Sequence, residues 1–259
     1  MDMLTYAATG AIIGLIIGIT GVGGGALMTP ALLFFGFPAH IAVGTDLWYA
    51  ALTKTSGLWT HHKKNHIRWR IALNMATGSL PAAILTGVVL SIWFGDAQSY
   101  GHILKSALGF MLIVTAVMLI LRSYLSKTIG ARGQTDTEAS NLFSIKLILV
   151  GVLLGILVTL SSVGAGAVGT AVLMMLYPRL LPKEIVGTDI AHAVPLTFIA
   201  GLIHLHLGNV NFTLLAALLI GSIPAINIGA MISSSIPARY LNPALASLLL
   251  LLGLRYALF

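Results

Sequence analysis

The sequence predicts an all-α, polytopic integral membrane protein made of two repeats. Composition is the first observation behind this prediction. Of the 259 residues, 58% are hydrophobic and 8% are charged, whereas a soluble domain carries about 25% charged residues. The 28 glycines are typical of membrane helices, which approach one another closely through small residues. Ten apolar segments and an internal duplication are the other two observations, and together the three exclude a soluble fold.

The apolar segments fall into two sets of five, separated by a polar stretch. The first set is 7–20, 26–36, 41–60, 71–92 and 103–121, and the second is 147–160, 167–177, 185–205, 212–232 and 240–258. Long apolar runs of this kind predict membrane helices. The chain is therefore predicted to contain a first membrane repeat at 1–122, a polar cytoplasmic linker at 123–144 and a second membrane repeat at 145–259.

The two halves repeat each other in sequence. Four short features of the first half recur in the second, and the first three share one offset of 143 residues. They are Val-Gly-Thr-Asp at 43–46 and 186–189, Gly-Ser-x-Pro at 78–81 and 221–224, His61 and His204, and a glycine-rich stretch at 22–25 and 163–166. One offset shared by separated motifs predicts an internal duplication.

The segments that flank each glycine-rich stretch are short. They contain 14 and 11 residues in both halves, so as helices they reach roughly 21 Å and 16 Å. A membrane core is about 30 Å thick. Each pair is therefore predicted to form a re-entrant helical hairpin that is broken at the glycines, followed by three transmembrane helices. Because three crossings is an odd number, the second repeat is predicted to be inverted relative to the first.

The basic residues favour the same topology. When the loop with Lys63, Lys64, Arg68 and Arg70 is placed in the cytoplasm, the inverted arrangement puts most other basic residues there too. Lysine and arginine in short loops are retained on the cytoplasmic side. Both termini are then predicted to lie outside. The formal net charge of +7 is thus explained by loop charges beside a lipid bilayer, without nucleic acid as a partner.

The hairpin turns are the predicted substrate site. Backbone N–H groups at a helix start attract anions, and glycine lets a ligand approach the backbone closely. The alternative is that these glycines only permit tight helix packing. The predicted substrate-binding residues are Gly23, Gly24, Gly25, Thr45, Lys54, Ser161, Ser162, Gly164, Gly166 and Thr188.

Lys54 is the basic residue placed deepest in a predicted span. It follows His40 by 14 positions, which is roughly 21 Å along a helix. A charge at such depth is costly and usually functional, so Lys54 is predicted to attract an anionic substrate. The alternative is that its long side chain snorkels to the membrane surface. The equivalent position in the second half is the neutral Thr197, which makes the predicted site asymmetric.

Asp46, Asp189 and His192 are the predicted proton-coupling residues. Burial disfavours an ionised carboxylate, so an acid that alternates between wet and buried states can bind and release a proton. The alternative is that both acids are helix N-caps. Tyr49 is predicted to be an interfacial anchor. No metal-ligand spacing is found, no cofactor is predicted, and the absence of cysteine excludes thiolate sites and disulfides.

A family resemblance appears at these motifs. The run 21–25 followed by Pro30, the motif Val-Gly-Thr at 43–45, the stretch 53–57, and Gly78 to Pro81 resemble the signature of the TauE/SafE family. The resemblance implies a multi-pass permease of the bacterial inner membrane that moves small sulfur-containing anions such as sulfite, sulfoacetate or thiosulfate. Asp46 and Asp189 depart from the family pattern, because many members have serine there.

The predicted function is a secondary transporter that exports such an anion, with proton coupling as a hypothesis. A homodimer is one assembly that the sequence allows. One alternative is a cation-selective channel or carrier that uses the two aspartates. Another is an intramembrane hydrolase that pairs Ser161 or Ser162 with His192 or His204. The Gly-x-x-x-x-Gly-Lys-[Ser/Thr] motif of ATP-binding loops is absent from the sequence, and no catalytic residue is assigned.

Overall fold

The computed structural model describes residues 3–20, 25–94, 99–129, 145–232 and 238–258, and within them the chain is α-helical. The helices are α1 (Met3–Thr20), α2 (Gly25–Phe34), α3 (Ala39–Lys63), α4 (Trp69–Phe94), α5 (Gly101–Ile129), α6 (Ile145–Ser161), α7 (Ala167–Leu176), α8 (Pro182–His206), α9 (Phe212–Ile232) and α10 (Ala238–Leu258). Among the described residues, α1, α4, α5 up to Leu121, α8 and α9 are long and apolar enough to cross a membrane. The prediction of an all-α polytopic membrane protein is confirmed.

The two hairpins have one long and one short arm each. Helices α1 and α6 contain 18 and 17 residues, or roughly 27 Å and 26 Å, so the prediction that these arms are short is wrong. Apolar residues before position 7 extend α1. Helices α2 and α7 contain ten residues each, or roughly 15 Å. The turn of the second hairpin is described, whereas residues 21–24 of the first lie outside the described part.

Glycines bring the first helix of each half against a helix of the other half. Helix α1 packs on α9, and α6 packs on α4. A Cβ at Gly10 or Gly14 would collide with the backbone of α9, and a Cβ at Gly151 or Gly155 would collide with the backbone of α4. The two Gly-x-x-x-Gly pairs are separated by 141 residues, the same offset as the glycine-rich turns. The duplication therefore extends to the surfaces that join the halves.

Equivalent helices of the two halves run in opposite directions. Trp48 Nε1 of α3 donates a hydrogen bond to the carbonyl of Gly201 in α8 at 2.9 Å. Further along α3, a Cβ at Gly57 would touch Ile190, which precedes Gly201 in α8. In the same way, Gly109 near the start of α5 meets the end of α10. Opposite directions are what the predicted inverted repeat requires. The division at 123–144 stays a prediction, since residues 130–144 lie outside the described part.

Candidate functional site

Asp46 lies inside α3, not at its start. The helix begins at Ala39 and its N-cap is Pro38, so Asp46 is two turns into the helix and fully buried. Its Oδ2 accepts a hydrogen bond from the hydroxyl of Thr29 in α2. The acid therefore faces the short arm of its own hairpin. The alternative that Asp46 is an N-cap is wrong.

Asp189 occupies the equivalent place in the second half. Helix α8 begins at Pro182 and its N-cap is Leu181, so Asp189 is also two turns into its helix, and it is buried. Its carboxylate lies against α7, where a Cβ at Gly169 would collide with Oδ1. The N-cap alternative is wrong here as well. Each aspartate thus faces the short arm of the hairpin that precedes it.

Lys54 joins the two acids to the second hairpin turn. Its Nζ donates a hydrogen bond to the carbonyl of Ala165 at 2.7 Å. The ammonium also interacts electrostatically with Asp46 and Asp189. The side chain is directed at the hairpin turn, not at the membrane surface, which contradicts the snorkelling alternative. We call Asp46, Lys54 and Asp189 the charged triad.

The second hairpin turn has a backbone that only certain residues adopt. Gly164 and Gly166 have φ values of 120° and 135°, a region that favours glycine. Ser162 is also left-handed, with a φ of 59°. The hydroxyl oxygen of Ser161 accepts a hydrogen bond from Val163 N at 3.1 Å and holds the turn. The conformation explains why these glycines are there, while their predicted contact with a substrate stays a prediction.

His192 and Tyr49 are equivalent under the offset of 143 residues, and each lies beside a serine of a Gly-Ser-x-Pro motif. His192 Nε2 forms a hydrogen bond with Ser79 Oγ at 2.8 Å. The hydroxyl of Tyr49 lies close to Ser222 and Asp46. Tyr49 is fully buried in the middle of α3, so the prediction that it anchors the protein at the interface is wrong. Sequence reasoning missed Tyr49 and both serines, although the offset from His192 points to Tyr49.

Thr45 and Thr188 hold the loops of the opposite half. Thr45 Oγ1 accepts a hydrogen bond from Asn211 N at 3.1 Å, and Thr188 Oγ1 accepts one from Arg68 N at 2.9 Å. Their predicted role in substrate binding gains no support from this placement. Gly25 begins α2, whereas Gly23 and Gly24 lie outside the described residues.

The hydrogen bonds of the described residues give no support to a serine–histidine pair. His192 binds Ser79, and His204 Nε2 binds the carbonyl of Thr159 at 2.9 Å. Ser161 uses its hydroxyl to hold the hairpin turn. A search of the described residues finds no group of three or more side chains that could hold a metal ion.

A polytopic helical protein with two opposed hairpins around a buried charged site has the architecture of a membrane transporter. The chain matches the sequence model of the family described as "Sulfite exporter TauE/SafE" over residues 6–256, and it belongs to this family. The predicted resemblance is confirmed. The family is one of membrane transporters, which places this chain among multi-pass membrane proteins.

Three relatives are described as probable membrane transporter proteins. YjnA of Bacillus subtilis is 36% identical, and the alignment covers 95% of this chain and 96% of the relative. YdhB of the same organism is 27% identical over 93% and 96%. A protein of Methanocaldococcus jannaschii is 28% identical over 95% and 91%. No solved structure gives a significant match.

Proposed function

We propose that the protein is a secondary transporter that exports a small sulfur-containing anion, with sulfite as the first candidate, across the bacterial inner membrane in a proton-coupled cycle. The observation that carries this proposal is the charged triad, in which Lys54 reaches the second hairpin turn between two buried acids. The description of the family supports sulfite, and sulfoacetate and thiosulfate are further candidates of the same chemical class.

The charge of the triad connects anion binding to protons. With both carboxylates ionised, two negative charges outweigh the one ammonium, and the site repels an anion. One proton makes the triad neutral, and a second proton leaves Lys54 as an uncompensated cation. Because a buried charge needs a partner, the doubly protonated triad is the form that attracts an anion most strongly. Anion entry is therefore expected to follow proton uptake.

The directions of the helices supply the second support. The triad lies where α3 and α8, which run antiparallel, meet the second hairpin turn. In transporters with inverted repeats, the substrate site lies near the midplane between the repeats, and each side opens in turn. Asp46 and Asp189 face equivalent hairpins of opposite halves, so each acid is placed to become wet in a different state.

A cation carrier is the second candidate, and one observation favours it. Two carboxylates and a backbone carbonyl around an ammonium form the kind of oxygen-rich site that binds a cation. In this structure the Lys54 ammonium takes the place of such a cation. Removal of the Lys54 charge should therefore open the site to cations under this candidate, and should remove transport under the anion proposal.

The test is efflux of radiolabelled sulfite from proteoliposomes, with and without a pH gradient. We expect the wild-type protein to move sulfite faster with the gradient, and the Lys54→Ala variant to move none. Thr197→Ala is the matched control, because Thr197 occupies the equivalent position and its hydroxyl binds only its own helix. Cation movement by the wild type without sulfite movement would overturn the proposal in favour of the second candidate.

A further inference from the structure

Three buried hydroxyl groups beside the charged triad make no hydrogen bond of ordinary geometry within the described residues. They belong to Tyr49 of α3, Ser162 of the second hairpin turn and Ser222 of α9. Their exposed fractions are 0%, 3% and 0%. Buried hydroxyls are nearly always paired in native proteins, so each exception needs an explanation such as a bound molecule. Three exceptions in one place indicate a ligand site.

Contacts with Asp46 bring these hydroxyls together. The Tyr49 hydroxyl lies beside Ser222 and Asp46, and the Ser162 side chain lies beside Asp46. One oxygen of Asp46 accepts the hydrogen bond from Thr29, while Oδ1 is buried without a partner. The site thus offers three hydroxyl donors and one carboxylate oxygen, contributed by three separate elements.

The second half contains the same arrangement in a satisfied form. At the position equivalent to Tyr49, His192 binds Ser79, which is the counterpart of Ser222. The serine of that half is therefore engaged with protein, and the serine of the first half is not. This difference places the open hydroxyl donors on the Tyr49 side of the core.

We propose that Tyr49, Ser162 and Ser222 donate hydrogen bonds to the oxygens of the transported anion, and that Asp46 Oδ1 accepts the acidic O–H of that anion. This inference rests on the proposed function and deepens it, because it selects a class of substrate. The ligand is a small inorganic oxyanion that carries a proton, of which hydrogen sulfite is the example. Three acceptors and one donor match the four groups that the site presents.

The shared proton gives this site a simple balance. If the proton passes from the anion to Asp46, the O–H bond of the anion breaks and an O–H bond forms at Oδ1. The total charge of the site does not change. The charged groups that act on Asp46 are Lys54 from α3 and, through the same ammonium, Asp189 from α8. Asp46 can therefore bind the protonated anion without an uncompensated negative charge.

Other sulfur-containing anions match the site less well. Sulfoacetate, sulfate and thiosulfate carry no acidic proton near neutral pH, so each leaves Asp46 Oδ1 unpaired or requires a proton from elsewhere. An unpaired buried acceptor is unfavourable. Sulfoacetate also adds a second charged group that has no partner among the residues described here. The site is therefore expected to rank hydrogen sulfite first.

The test measures sulfite affinity and thermal stability of the full-length purified protein. The variants are Tyr49→Phe, Ser162→Ala and Ser222→Ala, and the matched controls are Tyr256→Phe and Ser247→Ala on α10. The control hydroxyls lie outside the cluster, where they contact the carbonyls of Pro30 and Pro243. Sulfite, sulfate and sulfoacetate are titrated at one pH.

We expect each cluster variant to weaken sulfite affinity about tenfold or more, since each loses a hydrogen bond to a charged group. Their thermal stability without ligand should be unchanged or higher, because each substitution removes a buried hydroxyl that has no partner. The controls should keep wild-type affinity. Three independent variants keep the test decisive if one of them does not fold.

Two results would overturn the inference, and they are distinguishable. Wild-type affinity for sulfite in all folded cluster variants would show that these hydroxyls do not contact the anion, while the proposed function would stand. If the wild-type protein itself neither binds nor transports sulfite, the proposed function fails and this inference fails with it. A preference for sulfoacetate over sulfite would also reject the proton-carrying substrate.

Discussion

The hydroxyl of Thr45 accepts a hydrogen bond from the backbone N–H of Asn211. The counterparts of these residues, 143 positions away, make the same contact in exchanged form, because Thr188 accepts from the N–H of Arg68. At the preceding glycines, a Cβ at Gly44 would collide with the carbonyl of Asn209. The Val-Gly-Thr-Asp motif therefore combines two tasks: glycine and threonine hold a loop of the other half, and aspartate faces the hairpin.

Loss of this contact should destabilise the protein without removing its substrate site. Thr45→Val and Thr188→Val each leave a loop N–H without its acceptor, which should cost about 1–3 kcal/mol. The two effects should add, because the contacts lie at opposite ends of the core. Thermal unfolding in detergent measures the loss. Thr60→Val is the control, since Thr60 is exposed and its hydroxyl binds only its own helix.

Much of the fold can be predicted from the sequence because apolar length and duplication are one-dimensional signals. The predicted segment 212–232 coincides with α9, and Lys54 was singled out by the depth of one charge in an apolar run. Contacts between helices are not visible in this way. Whether Asp46 caps a helix or faces a hairpin depends on where α3 begins, and Pro38 starts it two turns earlier. The role of Ser79 depends on a partner 113 positions away.

Close helix packing should fail when glycine is replaced where the halves meet. Gly151→Val and Gly155→Val place side chains against the backbone of α4, and overpacking of this kind costs about 1–3 kcal/mol or more. We expect lower thermal stability and poorer recovery from the membrane. Gly101→Ala is the control, because no heavy atom lies within 4 Å of a Cβ placed there. Equal stability of all three variants would contradict the packing.

The inverted topology can be tested by cysteine labelling, since the chain contains no cysteine. His206→Cys and Lys64→Cys introduce thiols at exposed positions on loops that the topology places on opposite sides of the membrane. A reagent that cannot cross the membrane should label His206→Cys from outside in intact cells and should label Lys64→Cys only after lysis. Asn209 is unsuitable, because it is fully buried. Labelling of both positions from outside would reject the topology.

Removal of the Lys54 charge should abolish anion transport, whereas Lys54→Arg should retain part of it. A hydrogen bond to a charged group contributes about 1.5–3 kcal/mol, so Lys54→Ala should weaken anion affinity roughly 10- to 150-fold. The variant also leaves two acids without their cation, which is destabilising. Addition of Asp189→Asn should restore stability but not transport. Normal affinity in folded Lys54→Ala would show that the lysine only stabilises the hairpin turn.

Proton coupling is tested by Asp46→Asn and Asp189→Asn, measured one at a time in proteoliposomes. Asparagine keeps the size and hydrogen-bonding capacity of the side chain, but it cannot ionise. If the acids carry the coupled proton, each variant should lose the acceleration that a pH gradient gives. Sulfite exchange without a gradient should survive, because a neutral side chain leaves Lys54 free to attract the anion.

The competing account is that the acids only balance the charge of Lys54. Under that account each substitution removes a partner from a buried cation, so stability should fall and both modes of transport should decline together. Thermal unfolding of the same preparations separates the two accounts. A stable variant with intact exchange and no response to the gradient supports coupling. If both variants keep normal gradient-driven transport, the proton is carried by another group, and His192 at its contact with Ser79 becomes the next residue to test.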